Sequence, residues 1–354
     1  MIRQKEIEFL LEKYSNTLSS FWKREREFIK KNIEKKGKSF KYFEEPLYNM
    51  FSIFSNKNKL LKKIKKDLLF SKLKKIKKKK SFLLTPGNIP LLEIQYLYFL
   101  ILVSEEILWR PSRNFMELSN KLLDYLKKNN FKNIKIVNED LENLKEKIKD
   151  FDYFVLIGSD RTIKEFKKNI DKSKKIIEYG SKTSVSIITD KVKIKEFIKD
   201  ITYFSHSGCL SPTIIFVHKN IFNEFLEKLK KELLKIKGLF SEREKLFNFY
   251  IHLSEEEKIE KIGEFYIKLN PENIFISKGF INIFEFSDFE NLVKKIKNIE
   301  NFIQGMSIHP FKKEILKILK ENFKNVYIKK IGKLQIIDEN FFADGIKPLS
   351  LLFD

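Results

Sequence analysis

The sequence predicts an α/β protein of two domains preceded by a helical region, and three observations carry that reading. Short apolar runs such as YFVLI (153–157) and TIIFV (213–217) alternate with longer segments whose apolar residues recur three and four positions apart. The chain has 354 residues, enough for two domains of ordinary size. The alternation also starts afresh after residue 209, with no solenoid-length repeat and no low-complexity linker between the halves. The missing linker predicts two domains face to face across a cleft.

Taken in order, residues 1–75 read as helix almost throughout, because the apolar spacing is helical and breakers are few. SFLLTPGNIP (81–90) is a strand running into a Pro-Gly-Asn turn, and LLEIQYLYFLILVSE (91–105) a long apolar helix. EEILWRPS is a strand closing on a proline, NFMELSNKLLDYLKKNN a helix, NIKIVN a strand and 140–149 a lysine-rich helix. FDYFVLIGSD supplies another strand and TIKEFKKNI another helix, and KKIIEYGSKTSVSII gives strand, glycine turn and strand. The second half reads as strand TIIFV, helices over 220–236 and 241–261, strands near 264–268 and 280–286, and a helix over 287–299. The segment from Val326 has strand-like runs and a short helical tail. The expected division is 1–183 for the helical region with a nucleotide-binding α/β domain, 184–330 for a catalytic α/β domain, and 331–354 for a returning segment.

A hydrophobic content of 42% with 35 phenylalanines excludes a disordered chain, because ample apolar surface is available for burial. No stretch is apolar enough for a transmembrane helix, and the amphipathic N-terminus MIRQKEIEFLLEKY is unlike a secretory signal. A single cysteine without an export signal predicts a reducing cytoplasm. The formal charge of +23 is spread along the chain as lysine, which reads as compositional bias. The densest cluster, 59–80, has lysine interleaved with leucine and isoleucine, as on the solvated face of an amphipathic helix. Contact with nucleic acid or anionic membrane is the other reading of that cluster, and anionic substrates would also profit from the field.

Chemistry centres on FSHSGCLSP (204–212), which holds the only cysteine. One cysteine makes no intrachain disulfide and no cysteine-rich metal site. Small and polar residues surround Cys209, and an apolar strand resumes just after it, so the thiol belongs on a loop or helix start at the lip of a strand. A small residue in a turn is the bland alternative. His206 lies three residues away and could pair with the thiol, although ordinary loop polarity explains it as well. The four histidines lack metal-ligand spacing, and neither GxGxxG nor GxxxxGK[ST] occurs.

Five stretches, in order, resemble the aldehyde dehydrogenase superfamily: PGNIP (86–90), WRPS (109–112), LIGSD (156–160), EYGSK (178–182) and SGCLSP (207–212). Within it the chain is most similar to the LuxC-type acyl-CoA reductases, through GCLSP and YGSK each followed by a strand and an ending of the type IGKLQ…DG…L..L (332–352). The resemblance covers residue 80 to the C-terminus and implies two Rossmann-like three-layer domains. It makes Cys209 the nucleophile and Asn88 an oxyanion donor. It assigns Arg110 to the adenosine ribose or its 2′-phosphate, with Ser112, Gly158, Ser159 and Gly180 beside the cofactor, and so NADPH as that cofactor.

Thiol–thioester exchange and a tetrahedral oxyanion need a thiolate and preorganised donors, which the Asn88 amide and the Cys209 backbone N–H can supply. Gly87 and Gly208 would let backbone approach substrate closely. Glu178 matches the glutamate that activates water in hydrolytic members; in a reductase it would assist proton transfer or form a salt bridge, for instance with Lys182. Two departures stand out. SKGFINIF (277–284) has no glutamate where the superfamily carries Glu-x-Phe-Gly-Pro, and its Trp-Asp-Gly reads Ala343-Asp344-Gly345.

The implied partners are a fatty acyl-CoA or acyl-protein thioester, with an acyl-transferring protein and a homo-oligomer both compatible, and no specific nucleic acid. Two rivals remain at this level: an aldehyde dehydrogenase with Glu178 as base, and a basic RNA- or membrane-binding protein without catalysis.

Overall fold

A computed structural model describes residues 4–68, 77–254 and 258–353, so part of the lysine-rich run 59–80 lies outside the described residues. The chain forms two compact units, one of 1–32, 47–181 and 338–354, the other of 33–46 and 182–337. The linear division into 1–183, 184–330 and 331–354 lacks this interleaving.

The first unit holds most of α1 (Gln4–Glu34) and α2 (Glu44–Phe54), then α3 (Lys57–Asp67). The α/β part follows: β1 (Lys79–Leu84), α4 (Ile94–Val103), β2 (Ser104–Arg110), α5 (Met116–Lys128), β3 (Ile134–Ile136), α6 (Leu141–Ile148), β4 (Tyr153–Ile157), α7 (Asp160–Lys167) and β5 (Lys175–Tyr179). The five strands are all parallel, in the order β3-β2-β1-β4-β5, with Phe82 opposite Leu108 on one side and Phe154 on the other. Parallel strands covered on both faces read as continuous apolar runs, which is why YFVLI is fully buried. On one face Phe82 stacks on Phe166, with Phe154, Leu144 and Ile163 completing the layer. Helix α4 is apolar all round and correspondingly buried. It is fastened to α1 where the Tyr14 hydroxyl donates to the Ile94 carbonyl at 2.9 Å.

The second unit contains β6 (Thr183–Ile188), α8 (Ile194–Thr202), β7 (Pro212–His218), α9 (Phe222–Leu233), α10 (Glu242–Ser254), β8 (Glu260–Ile262), β9 (Phe265–Leu269), β10 (Phe280–Phe286), α11 (Phe289–Lys297), β11 (Ile303–His309), α12 (Lys313–Asn322) and β12 (Tyr327–Lys330). Its sheet runs β12-β11-β6-β7-β10-β9-β8, parallel except for the edge strand β8. The final helix α13 (Pro348–Phe353) belongs to the first unit. No described helix is long and apolar enough to cross a membrane.

Of the helix expected over 241–261, Glu242–Ser254 is helical, 255–257 lie outside the described residues, and Glu260–Ile262 instead forms β8 against β9. The reversal between these two strands falls at Gly263, whose φ of +59° favours glycine. Helices α8 and α12 and strand β11 occupy stretches for which the sequence pattern predicts no element.

Glu93, just before α4, is a fully buried carboxyl that accepts from the Ser119 hydroxyl at 3.0 Å; burial pushes it up to about 7. Because the folded state keeps this proton longer than the unfolded chain, the contribution present below pH 4.5 is lost as pH rises to 7. Glu93→Gln, which cannot ionise, should match wild type near pH 4 and exceed it by at most about 3 kcal/mol at pH 8. Urea melts at the two pH values check this; equal differences at both would show that Glu93 does not titrate on unfolding.

Candidate active site

In the first unit the residues expected at the site lie at the carboxyl ends of the parallel strands. The chain steps from β1 outward to β2 and β3, then returns to β4 and β5 on the other side, so a topological switch point lies between β1 and β4. Thr85–Asn88 follow β1, Arg110 ends β2, Gly158 and Ser159 follow β4, and Gly180 follows β5. This edge is where open α/β sheets take ligands.

Asn88 is half-buried in the bend after β1. That bend is tied to the end of β2: the Thr85 N–H donates to the Arg110 carbonyl at 3.2 Å, Trp109 Nε1 to Thr85 Oγ1 at 3.2 Å, and Asn114 Nδ2 to the Gly87 carbonyl at 3.2 Å. A Cβ on Gly87 would overlap the Ser112 hydroxyl, so the turn accepts only glycine here. Ser112 also caps a short 3-10 turn, its Oγ accepting from the Asn114 N–H at 3.2 Å. Arg110 donates through Nε to the Glu139 carbonyl at 3.0 Å, and its guanidinium lies 5.8 Å from the Phe166 ring centre. The nearby Asp140 is ion-paired with Arg113 at 2.9 Å.

Ser159 caps α7, its Oγ accepting from the Thr162 N–H at 3.2 Å, and the Gly158 N–H donates to the Tyr179 carbonyl at 3.2 Å. Asp160, quoted in LIGSD but given no role there, accepts from the Ser181 N–H at 2.7 Å. Its carboxylate presses on Gly180 where any Cβ would overlap it, so the β5 turn and the start of α7 are one assembly. Glu178 is exposed and grips Lys167 of α7 at 2.8 and 3.1 Å. The salt-bridge partner is thus Lys167, and Lys182 instead donates to the Asn301 carbonyl.

In the second unit Cys209 sits half-buried in the turn before β7, at the amino ends of β6 and β7. Its carbonyl accepts from the Ser184 hydroxyl of β6 at 2.8 Å. Phe204, Ser205 and His206 precede it with φ of +51°, +53° and +53°, three consecutive left-handed residues that are not glycine. His206 is buried, with Nδ1 accepting from the Gly279 N–H at 2.9 Å and Nε2 lying 3.1 Å from the Pro212 carbonyl. Those partners assign the neutral tautomer with the proton on Nε2. Burial, with a smaller contribution from Lys278, lowers the imidazole to about 4. Both ring nitrogens are committed to backbone, so His206 pins the turn and the Cys–His pairing is not formed.

Further residues not singled out from the sequence hold this turn. Asp200, at the end of α8, accepts from the N–H groups of Gly332 and Leu334 at 2.8 and 3.0 Å. Gln335 Nε2 donates to the carbonyls of Asp200 and Tyr203 at 2.5 and 3.3 Å, so IGKLQ staples the segment leading to Cys209. In SKGFINIF, Asn282 is buried, accepting from the Phe275 N–H and donating to the carbonyls of Thr213 and Phe275. Among the described residues no His/Cys/Asp/Glu group could hold a metal ion.

Two linked parallel α/β sheets, one with a switch-point edge and one presenting a lone cysteine, form the aldehyde dehydrogenase fold. The structure is similar to the NADP dependent enzyme of E. coli (TM-score 0.71, 11% identity, 94% of this chain and 78% of that one). It is also similar to aldehyde dehydrogenase 21 of Physcomitrella patens (0.68, 13%, 97% and 83%) and methylmalonate-semialdehyde dehydrogenase of Oceanimonas doudoroffii (0.70, 9%, 99% and 88%). No curated protein matches the sequence. Residues 13–261 match the family of acyl-CoA reductases called LuxC, and the chain belongs to that family. It is accordingly an oxidoreductase acting on aldehyde or acyl groups.

Replacing His206 by leucine should cost about 2–4 kcal/mol, since it strands a buried N–H and a buried carbonyl. Cys209 should also react faster with iodoacetamide in this variant, and His206→Asn should restore part of the protection. An unaltered alkylation rate in a destabilised His206→Leu protein would separate the imidazole from control of the thiol.

Proposed function

We propose that this protein reduces a fatty acyl thioester, acyl-CoA or acyl-protein, to the aldehyde through an acyl group carried on Cys209, with NADPH as reductant. The observation that carries the reading is the chain's only thiol, half-buried in a turn pinned on both sides, in a member of an acyl-CoA reductase family. The Cys209 thiolate attacks the thioester carbonyl, the new C–S bond forms, and the bond to the carrier sulfur breaks, releasing the carrier thiol. The Cys209 N–H and the Asn88 amide are the proposed donors to the oxyanion.

NADPH, when bound, would supply the hydride to the acyl carbon; the carbon–sulfur bond to Cys209 would then break, returning the thiolate and releasing the aldehyde. Gly158, Ser159 and Gly180, at the switch-point edge, would lie along the dinucleotide, and Ser112 would shape the turn beside it. Arg110 fits the 2′-phosphate: its Nε is spent on a neutral carbonyl, and the neighbouring acid Asp140 is ion-paired with Arg113. A solved relative described as NADP dependent supports the same cofactor. The hydrolytic reading asks Glu178 to activate water; its two-pronged ion pair with Lys167 favours the salt-bridge role instead.

Incubation with acyl-CoA in the absence of NADPH should add one acyl group, found on Cys209 by mass spectrometry. Cys209→Ser should make no aldehyde while still binding NADPH; near-normal turnover in that variant would end the proposal. Arg110→Ala should weaken NADPH by about tenfold or more and NADH little, as fluorescence titration reads directly. Equal losses would make Arg110 a packing residue. Glu178→Gln should leave the ratio of aldehyde to free acid nearly unchanged, whereas a wild type making mostly acid in a Glu178-dependent way would favour the dehydrogenase.

A further inference from the structure

Two lysines and one carboxylate meet in the second unit. Glu244, in the first turn of α10, accepts through Oε2 from the Ser241 N–H and hydroxyl at 2.9 and 3.0 Å. Its Oε1 takes the Lys38 ammonium at 3.0 Å and that of Lys278 as well. All three side chains are largely shielded, Lys38 being 9% exposed, Glu244 27% and Lys278 23%. The Lys278 Nζ also lies 5.3 Å from the Phe240 ring centre.

Lys38 alone would balance the charge of Glu244, so the second ammonium is in surplus. Holding it here has a cost. Burial lowers Lys278 to about 7, with the neighbouring Lys38 adding to the fall and Glu244 opposing it. A neutral side chain of similar volume at 278 would leave a matched pair, and replacing buried charges in this way is often neutral or stabilising. Stability alone therefore gives no reason for a lysine at this position.

Its place in the chain does. Lys278 directly precedes Gly279, whose φ is +82° and whose N–H is the donor to His206 Nδ1 at 2.9 Å. The Phe280 N–H closes this turn on the Ser277 carbonyl at 3.1 Å. A Cβ on Gly279 would overlap the amide of the buried Asn248, so α10 presses directly on the residue that serves the imidazole. The turn is thus held to α10 at two successive residues, by the Lys278 ammonium on Glu244 and by the fit of Gly279 against Asn248. Lys38 ties Glu244 in turn to the segment 33–46. On its other side the same imidazole meets the Pro212 carbonyl and pins the left-handed run before Cys209.

We infer that Lys278 is a positioning residue for the chemistry at Cys209, fixing through Gly279 and His206 the turn that carries the thiol. The inference rests on the proposed role of Cys209 as nucleophile. Lys278 itself touches no reacting atom; it sets where the Gly279 N–H stands, and the imidazole follows.

Lys278→Met and Lys278→Arg in the full chain test this by three readings: melting temperature, iodoacetamide alkylation of Cys209, and acyl-CoA reduction. The methionine variant should melt within about 3 °C of wild type or above it, since it leaves a matched ion pair. Its Cys209 should alkylate about threefold faster, and its kcat should fall about tenfold with KM for acyl-CoA nearly unchanged. Arginine keeps the charge and the donors, and should return most of both. Alkylation at the wild-type rate in Lys278→Met would overturn the inference, as would an arginine variant no better than the methionine one. A melting temperature lowered by more than about 5 °C in Lys278→Met would make Lys278 a stability residue and overturn it too. The wild-type assay keeps the failures apart. Aldehyde formation with an alkylation rate indifferent to residue 278 sinks the positioning role alone. No aldehyde from wild type sinks the reductase reading, while alkylation and melting still decide whether Lys278 positions the thiol.

Discussion

The second unit turns on one imidazole. L-residues disfavour the left-handed region by about 1–2 kcal/mol each, so three in succession at Phe204–His206 persist only if the surroundings impose them. His206 does so by bonding to two backbone segments at once, the turn before β10 and the first residue of β7. Asp200 and Gln335 hold the approach to the turn, and the Tyr203 hydroxyl is bonded to Glu45. Strain of this kind, over-determined by buried polar bonds, gives Cys209, the proposed nucleophile, a fixed backbone at the expense of local stability.

The first unit solves a different problem, that of building a ligand edge from loops without a glycine-rich phosphate fingerprint. Its loops are stiffened by each other. The Asn88 turn leans on Ser112 and Asn114, and the β5 turn leans on Asp160. Each contact excludes a side chain at one position, which explains why glycine stands at 87 and at 180. The edge proposed to take the cofactor is therefore a set of interlocked turns around a switch point.

Strand β4 of the first sheet was legible because a fully buried parallel strand is written as an unbroken apolar run, here closed by a glycine. Helix α4 was legible for a related reason, its length and its lack of any polar face. The turn carrying Cys209 could be placed from its small neighbours and the strand after it. Pairings between distant residues were not written in any local pattern. Nothing in EYGSK separates Lys167 from Lys182 as the partner of Glu178, because that choice depends on α7 packing beside β5. Lys63 was hidden in a lysine run, since none of the other lysines of α3 is buried, and its Nζ donates to the distant Phe341 carbonyl. His206 is ambiguous locally, since both its partners arrive with the second sheet.

Asp67 is bonded to Leu349 and Ser350 across 282 and 283 residues of chain. A ribosome adding about 5–20 residues per second therefore exposes α3 for roughly 15–60 s before its final partner emerges. Throughout that interval a lysine and an aspartate destined for the interior remain hydrated. Residues 338–354 thus complete the first unit long after its helices have been made, and a chain stopped before residue 338 leaves that unit without its closing strip.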